Sequence, residues 1–214
     1  MQLYNYFRSS ASYRVRIALN LKGLAYDYLS VHLTRDGGQQ FAPAYRDIAP
    51  EALVPVLVDG GPPLHQSLAI IEYLEETHPS PPLLPADPVG RADVRAIAMD
   101  IACDIHPIGN LRVLKHLAAA YGLKKDDTDA WYRHWVGAGF SALEARLAAS
   151  PWRGKFCHGD TPTLADVALV PQVFNAKRFG ADLSAYPTIN AIAARCEELA
   201  AFADAAPAKQ IDAE

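Results

Sequence analysis

The feature that most limits what this chain can fold into is His78-Pro-Ser-Pro-Pro-Leu-Leu-Pro-Ala-Asp-Pro, a stretch with five prolines at positions 79, 81, 82, 85 and 88. Each proline lacks a backbone donor and restricts the residue before it, so neither a helix nor a central strand can run through. The chain is therefore expected to divide into residues 1–80, a proline-rich linker at 81–88, and residues 89–214. Upstream, the apolar-aromatic run at 3–6 predicts a strand, and Arg8-Ser-Ser-Ala-Ser supplies hydroxyl caps for a helix closing at Gly23. Residues 26–31, 56–58 and 63–65 predict three further strands, the last following the turn Asp59-Gly-Gly. In 67–77 the apolar Ile70, Ile71 and Leu74 share one face and Glu72, Glu75 and Glu76 occupy the rest, which predicts an amphipathic helix with Ser67 as its N-cap. This order describes a small α/β unit.

Downstream the pattern changes. Alanine-rich stretches at 89–121, 128–149, 163–179 and 187–202 have helical spacing and few strand signals, so the second domain is expected to be all-helical. Thr163-Leu-Ala-Asp166 reads as a capping box with Asp in the usual Glu position. A net charge of -4, with no lysine or arginine cluster, argues against nucleic acid or an anionic membrane and leaves a small solute as the expected ligand. The three cysteines, Cys103, Cys157 and Cys196, are far apart and odd in number; they fit neither a disulfide framework nor metal-ligand spacing, and they suggest a reducing compartment. No basic-then-apolar N-terminal region and no apolar run of roughly 20 residues is present, so a cytoplasmic protein without a membrane span is expected.

Several stretches together resemble the cytosolic glutathione transferases, and within them the zeta class: Tyr6-Phe-Arg-Ser-Ser-Ala-Ser-Tyr-Arg-Val-Arg, Arg35-Asp-Gly-Gly-Gln-Gln, Val54-Pro-Val-Leu, Gln66-Ser-Leu-Ala-Ile-Ile-Glu and Gly159-Asp-Thr-Pro-Thr-Leu-Ala-Asp. The Ser-Ser-x-x-x-Arg-Val-Arg element is the one specific to the class. The resemblance implies a thioredoxin-like α/β domain followed by an all-α domain, a homodimer, glutathione as cofactor, and isomerisation of maleylacetoacetate or maleylpyruvate to the fumaryl form. Ala11 stands where family members often carry cysteine. The main chemistry is expected to survive that change, because the reacting sulfur belongs to glutathione: its thiolate adds to the conjugated double bond, rotation follows, and the thiolate leaves.

A thiol of pKa about 8.5 is mostly protonated at neutral pH, and lowering it by about two units takes roughly 2.7 kcal/mol of preference for the anion. Ser9 and Ser10 stand where the first helix begins, so a hydroxyl and the exposed N–H groups could face the sulfur; read without the family, the same pair is a helix cap. The resemblance implies Ser9 or Ser10 as thiolate donor. It also implies glutathione contacts from Gln40, Val54, a cis Pro55, Gln66, Ser67 and His106, although Gln39 is as simple a local choice as Gln40. A dianionic substrate needs guanidinium groups, and Arg8, Arg112 and Arg178 are the candidates. His106-Pro107 followed by Arg112 resembles the maleylpyruvate isomerases more than the animal maleylacetoacetate isomerases; the alternative is that His106 simply precedes a kink at Pro107. Arg14 and Arg16 are expected in structural or interdomain pairs with carboxylates of the helical domain, Asp166 in the capping box, and Cys103 and Cys157 as packed thiols. Asp100 is a candidate contact to glutathione on a partner subunit. Two other functions fit the same architecture: a general conjugating transferase or peroxidase, and a noncatalytic glutathione-binding module.

Overall fold

In the computed structural model, which describes Met1–Glu214, four strands form one sheet: Gln2–Asn5 (β1), Asp27–Ser30 (β2), Val56–Val58 (β3) and Leu64–His65 (β4), in the order β2-β1-β3-β4. β1 and β2 run parallel with Leu3 opposite Tyr28, while β3 is antiparallel to both β1 and β4. A parallel pair needs a crossover, and the helix Ser10–Leu21 (α1) provides it. α1 buries Val15, Ile17 and Leu19, and a second helix, reached through the short helix Pro43–Arg46 (α2) and the β3–β4 hairpin, spans Ser67–Thr77 (α3) and buries Ile70, Ile71 and Leu74.

The remaining helices are Pro88–Met99 (α4), Leu111–Tyr121 (α5), Lys125–Ala149 (α6), Leu164–Arg178 (α7), Pro187–Glu197 (α8) and the short Ala200–Ala203 (α9). The expected α/β-plus-all-α architecture is therefore present. The helix expected over 89–121 is interrupted: α4 runs into a π-helical turn at Asp100–Ile105, where His106 N–H bonds the Ile101 carbonyl at 2.8 Å, and Pro107 follows. α6 packs close against this turn at Gly139, where a Cβ would lie 2.3 Å from Ile105 Cγ1, so no larger residue fits.

The chain separates into two units, Met1–Leu83 with Glu198–Glu214, and Leu84–Glu197. The last seventeen residues thus pack with the α/β unit, not with the helical domain in which the sequence reading put them. Apolar burial and polar contacts account for this together: Phe202 is fully buried, Tyr13 Oη donates to the Phe202 carbonyl, Asn20 Nδ2 to the Ala201 carbonyl, and Arg16 Nε to the Ala205 carbonyl. Sequence patterning detects apolar faces and has no signal for side chains that reach backbone carbonyls almost two hundred positions away.

The start of the proline-rich segment is fastened by a buried ion pair. Lys22 Nζ lies 2.8 Å from Glu75 Oε2 and also donates to the carbonyls of His78 and Pro81, while both Glu75 oxygens accept the Leu83 N–H. Removing one partner of such a pair strands the other charge. Glu75→Ala is expected to destabilise the protein by about 3–5 kcal/mol in denaturant unfolding; a loss near that of an exposed pair, below about 1 kcal/mol, would contradict this role.

Candidate active site

β1 ends at Asn5 and α1 begins at Ser10, so residues 6–9 must turn within four positions. Ser9 is the N-cap: its backbone is extended (φ -67°, ψ 117°) and its Oγ accepts the Ser12 N–H at 3.2 Å. The oxygen is used as an acceptor, but its O–H remains available to donate outward. Ser9 is part-exposed, whereas Ser10 is buried in the first turn. No acidic residue occupies that turn, so the partial positive charge of the helix N-terminus is not offset there. This end of α1 is suited to an anion.

Two arginines shape the turn. Arg16 is fully buried and donates through Nη1 to Asn5 Oδ1 (2.9 Å) and the Tyr6 carbonyl (3.3 Å), through Nη2 to the Phe7 carbonyl (2.9 Å), and through Nε to the Ala205 carbonyl (3.0 Å). The carboxylate partners expected in the helical domain are replaced by carbonyls of its own unit. Burial pushes its pKa down, and nearby Asp212 is among the groups opposing that shift. Arg8 points differently: Nε and Nη2 donate to Tyr6 Oη at 3.1 and 2.9 Å, and its guanidinium carbon sits 5.1 Å from the Phe7 ring centre. Tyr6 is itself fixed edge-on against Phe7 and His32, with ring centres 4.7 Å apart in both cases.

Ser67 is the first residue of α3 rather than its N-cap. That position belongs to Gln66, whose backbone has φ 67° and whose side chain makes no capping bond. A non-glycine residue held at positive φ costs on the order of 1–3 kcal/mol, and such strain gathers at ligand clamps. The buried Ser67 hydroxyl accepts from Arg14 Nη1 at 3.2 Å, so α1 sends a buried cation to the N-terminus of α3. Ser10 and Arg14 are four apart and share one face of α1, which links the two helix starts. Arg14 was expected in a structural or interdomain pair; the i,i+4 spacing from Ser10 was the signal available for a role here. The Val54–Pro55 bond is cis, at the entry to β3. Of the two glutamines, Gln39 closes its own loop, with Oε1 accepting the His32 N–H at 2.8 Å. Gln40 is buried, its Nε2 bonds the Leu33 carbonyl at 3.4 Å, and its Oε1 has no protein partner. An amide whose buried oxygen has no protein partner fits a polar ligand better than one whose oxygen is already engaged.

The other three site candidates lie in the helical unit. His106 follows the π turn, with Nε2 3.5 Å from Asn110 Nδ2; Asn110 caps α5 by accepting the Arg112 N–H, and the Arg112 side chain is exposed. Arg178 ends α7, where Nε donates to Asn175 Oδ1 at 3.0 Å and the guanidinium carbon lies 4.3 Å over the Phe179 ring. Phe179 stacks on Tyr132 at 3.9 Å, and a Cβ at Gly109 would meet Tyr132 Cδ2 at 2.6 Å, so Tyr132 supports both the Arg178 stack and the turn preceding Arg112. Sequence reading did not single out Tyr132. Asp100 bonds Arg146 at 2.9 Å within the same unit. Asp166 is buried and accepts from the Thr163 N–H and hydroxyl and from the Cys157 N–H, as its capping-box reading requires. Cys157 is buried, and burial pushes its thiol pKa up, while Cys103 is exposed rather than packed. No three His, Cys, Asp or Glu side chains gather in a way that could hold a metal, and no helix is long and apolar enough to cross a membrane.

The family model for the glutathione S-transferase N-terminal domain matches residues 3–82, and that for the C-terminal domain matches residues 129–208. The chain belongs to the glutathione S-transferase family, in its zeta class. It is 53% identical to a probable maleylacetoacetate isomerase of Vibrio cholerae, over 99% of this chain and 97% of that protein. The holo structure of maleyl pyruvate isomerase, a bacterial zeta-class enzyme, is 52% identical and superposes with a TM-score of 0.97 over all of both chains. A maleylacetoacetate isomerase from Methylobacterium extorquens, solved with bound malonate and glutathione, is 42% identical with a TM-score of 0.96 over all of both chains.

The Tyr6 hydroxyl accepts both hydrogen bonds that orient the Arg8 guanidinium. Tyr6→Phe keeps the ring packing and removes both hydrogen bonds; it is expected to lower kcat/KM about tenfold or more for an anionic substrate, corresponding to charge-assisted bonds worth about 1.5–3 kcal/mol. Steady-state kinetics with unchanged kcat/KM would show that Arg8 is not held by this contact for function.

Proposed function

We propose that this protein is a glutathione-dependent cis-trans isomerase acting on maleylacetoacetate or maleylpyruvate. The observation that carries the reading is Arg8: a guanidinium fixed by Tyr6 and Phe7 one residue before the Ser9 cap. A cation locked beside an anion-binding helix start favours a small carboxylate substrate and disfavours the neutral apolar electrophiles of a conjugating transferase. The names of the relatives point the same way, to one or the other maleyl substrate.

The residues present fit glutathione. The N-terminus of α3, the Ser67 hydroxyl and the charge of Arg14 receive the γ-glutamyl carboxylate, with the strained Gln66 beside them. Val54 offers its backbone before cis-Pro55, Gln40 offers its buried amide to the glycyl end, and His106 is a contact from the helical unit. When bound, glutathione supplies a thiolate that adds to the substrate's double bond reversibly and is recovered unchanged. Ser9 donates its hydroxyl to that anion, since its oxygen is already anchored by the Ser12 N–H and its proton is left to donate elsewhere; Ser10 is the second candidate. Arg8, Arg112 and Arg178 grip the substrate carboxylates and stabilise the charge that develops next to them. The enzyme works as a homodimer in the cytoplasm.

The reading is tested by following isomerisation of both maleyl compounds with and without glutathione, with glutathione quantified at the end. Turnover that requires glutathione and leaves it unconsumed is expected; consumption in step with turnover of neutral electrophiles, with no maleyl isomerisation, would make this a conjugating transferase. In the same assay Ser9→Gly removes the donor while costing the helix cap only a few tenths of a kcal/mol. It should raise the pKa of the bound thiol and lower kcat about tenfold or more at neutral pH.

A further inference from the structure

Phe7 is the residue on which the site turn pivots, and both ends of its backbone are held by charged side chains. Its carbonyl accepts from Arg16 Nη2 at 2.9 Å, and its N–H donates to Asp212 Oδ2 at 3.3 Å. Asp212 reaches three partners at once: Oδ2 also accepts from Ser30 Oγ at 2.8 Å, and Oδ1 accepts from Tyr28 Oη at 2.5 Å. Tyr28 and Ser30 belong to β2, which pairs with β1. One carboxylate thus ties the turn to the strand beside it. The segment carrying Asp212 is not brought there by apolar burial, since Ile211 is 80% exposed. Polar contacts hold it: Gln210 Nε2 bonds the Asp204 and Ala206 carbonyls, and Glu214 pairs with Arg35 at 2.8 Å and His32 Nε2 at 3.1 Å. His32 Nδ1 accepts the Arg35 N–H at 2.9 Å.

We propose that Asp212 is a positioning residue of the active site: by holding the Phe7 N–H against β2 it fixes the turn that aims Ser9 and Arg8. This rests on the reading that glutathione sulfur sits at the Ser9 turn. The carboxylate does not touch the sulfur's donors; it acts through the backbone. Two effects of removing it have opposite signs. Loss of a nearby negative charge alone would favour the thiolate and lower the bound thiol's pKa. Loss of the turn's geometry weakens the hydroxyl and N–H donors and raises it.

The test compares wild type with Asp212→Ala, Asp212→Asn and Tyr28→Phe, measuring the pKa of bound glutathione by thiolate absorbance, amide exchange at Phe7 without glutathione, and kcat and KM for glutathione. Asp212→Ala is expected to raise the thiol pKa by about one unit, a roughly tenfold loss of thiolate at pH below it, and to accelerate Phe7 exchange. Asp212→Asn, whose amide oxygen still accepts the Phe7 N–H, should recover at least half of the shift. Tyr28→Phe, which removes one of the two β2 contacts to Asp212 and leaves that of Ser30, should move both readouts the same way by less. A lowered or unchanged thiol pKa in Asp212→Ala would overturn the proposal; should that variant not fold, an unchanged Phe7 exchange rate and thiol pKa in Tyr28→Phe would overturn it. The Ser9→Gly variant separates the two levels. If it shifts the thiol pKa while the Asp212 variants do not, only the positioning role fails; if it does not shift either, the assignment of the sulfur to this turn fails and takes the positioning role with it.

Discussion

The buried guanidinium of Arg16 is the constraint on which the rest of the α/β unit depends. A cation with no accessible surface and no carboxylate in contact carries a large desolvation cost, which is tolerable only when its donors are met by well-placed acceptors. Here the acceptors are the Asn5 amide and the carbonyls of Tyr6, Phe7 and Ala205. The Phe7 carbonyl has no other donor, because residues 6–9 leave the β1 ladder before α1 begins, while the Tyr6 carbonyl also accepts the Ser9 N–H at 3.0 Å. The arginine and the turn therefore require one another. Through Ala205 the requirement extends to the last seventeen residues and explains why they join a unit from which they are separated by the whole helical half of the sequence.

A turn held in this way has consequences for chemistry. Stabilising an anion in a partly buried site depends on donors that are already oriented and need no rearrangement when charge appears. The start of α1 has that character: Ser9 is locked by Ser12, the first turn lacks acid, and the adjacent Arg8 is pinned by a phenol and an aromatic face. The start of α3 repeats the device with Ser67 and Arg14. The protein thus offers two helix N-termini, each paired with a hydroxyl and an arginine, to a ligand with a thiolate at one position and a carboxylate at another. Both helix starts draw on α1, whose N-cap is Ser9 and which carries Ser10 and Arg14.

Much of this was legible in the sequence, and the reasons are local. The prolines between 78 and 88 announced the break between α/β and helical halves, Val56–Val58 was read with the bounds it has, and 67–77 gave its helix away by apolar spacing. The Ser-Ser-x-x-x-Arg-Val-Arg element marked the site through its resemblance to the zeta class; read alone, the two serines are a helix cap. Other features were hidden. Ser67 looked like an N-cap because serine before an apolar helix usually is one; the cap is Gln66, held in a left-handed conformation that no side-chain preference predicts. Arg14 and Arg16 were read as structural or interdomain pairs with carboxylates, because burial of an arginine among carbonyls is something sequence patterns do not record. Tyr132 and Asp212 were missed for the same reason: each acts through a contact with a residue far along the chain. The π turn before His106 was invisible to a helical reading that extended through it.

The central claim is that the Ser9 turn holds the sulfur of glutathione as an anion. A crystal structure of the protein with glutathione and a nonreacting dicarboxylate tests it most directly. The sulfur is expected within hydrogen-bonding reach of Ser9 Oγ, roughly 3–3.5 Å, with a carboxylate of the second ligand on Arg8. A sulfur bonded elsewhere, with the Ser9 hydroxyl turned back to the helix and Arg8 facing solvent, would contradict it.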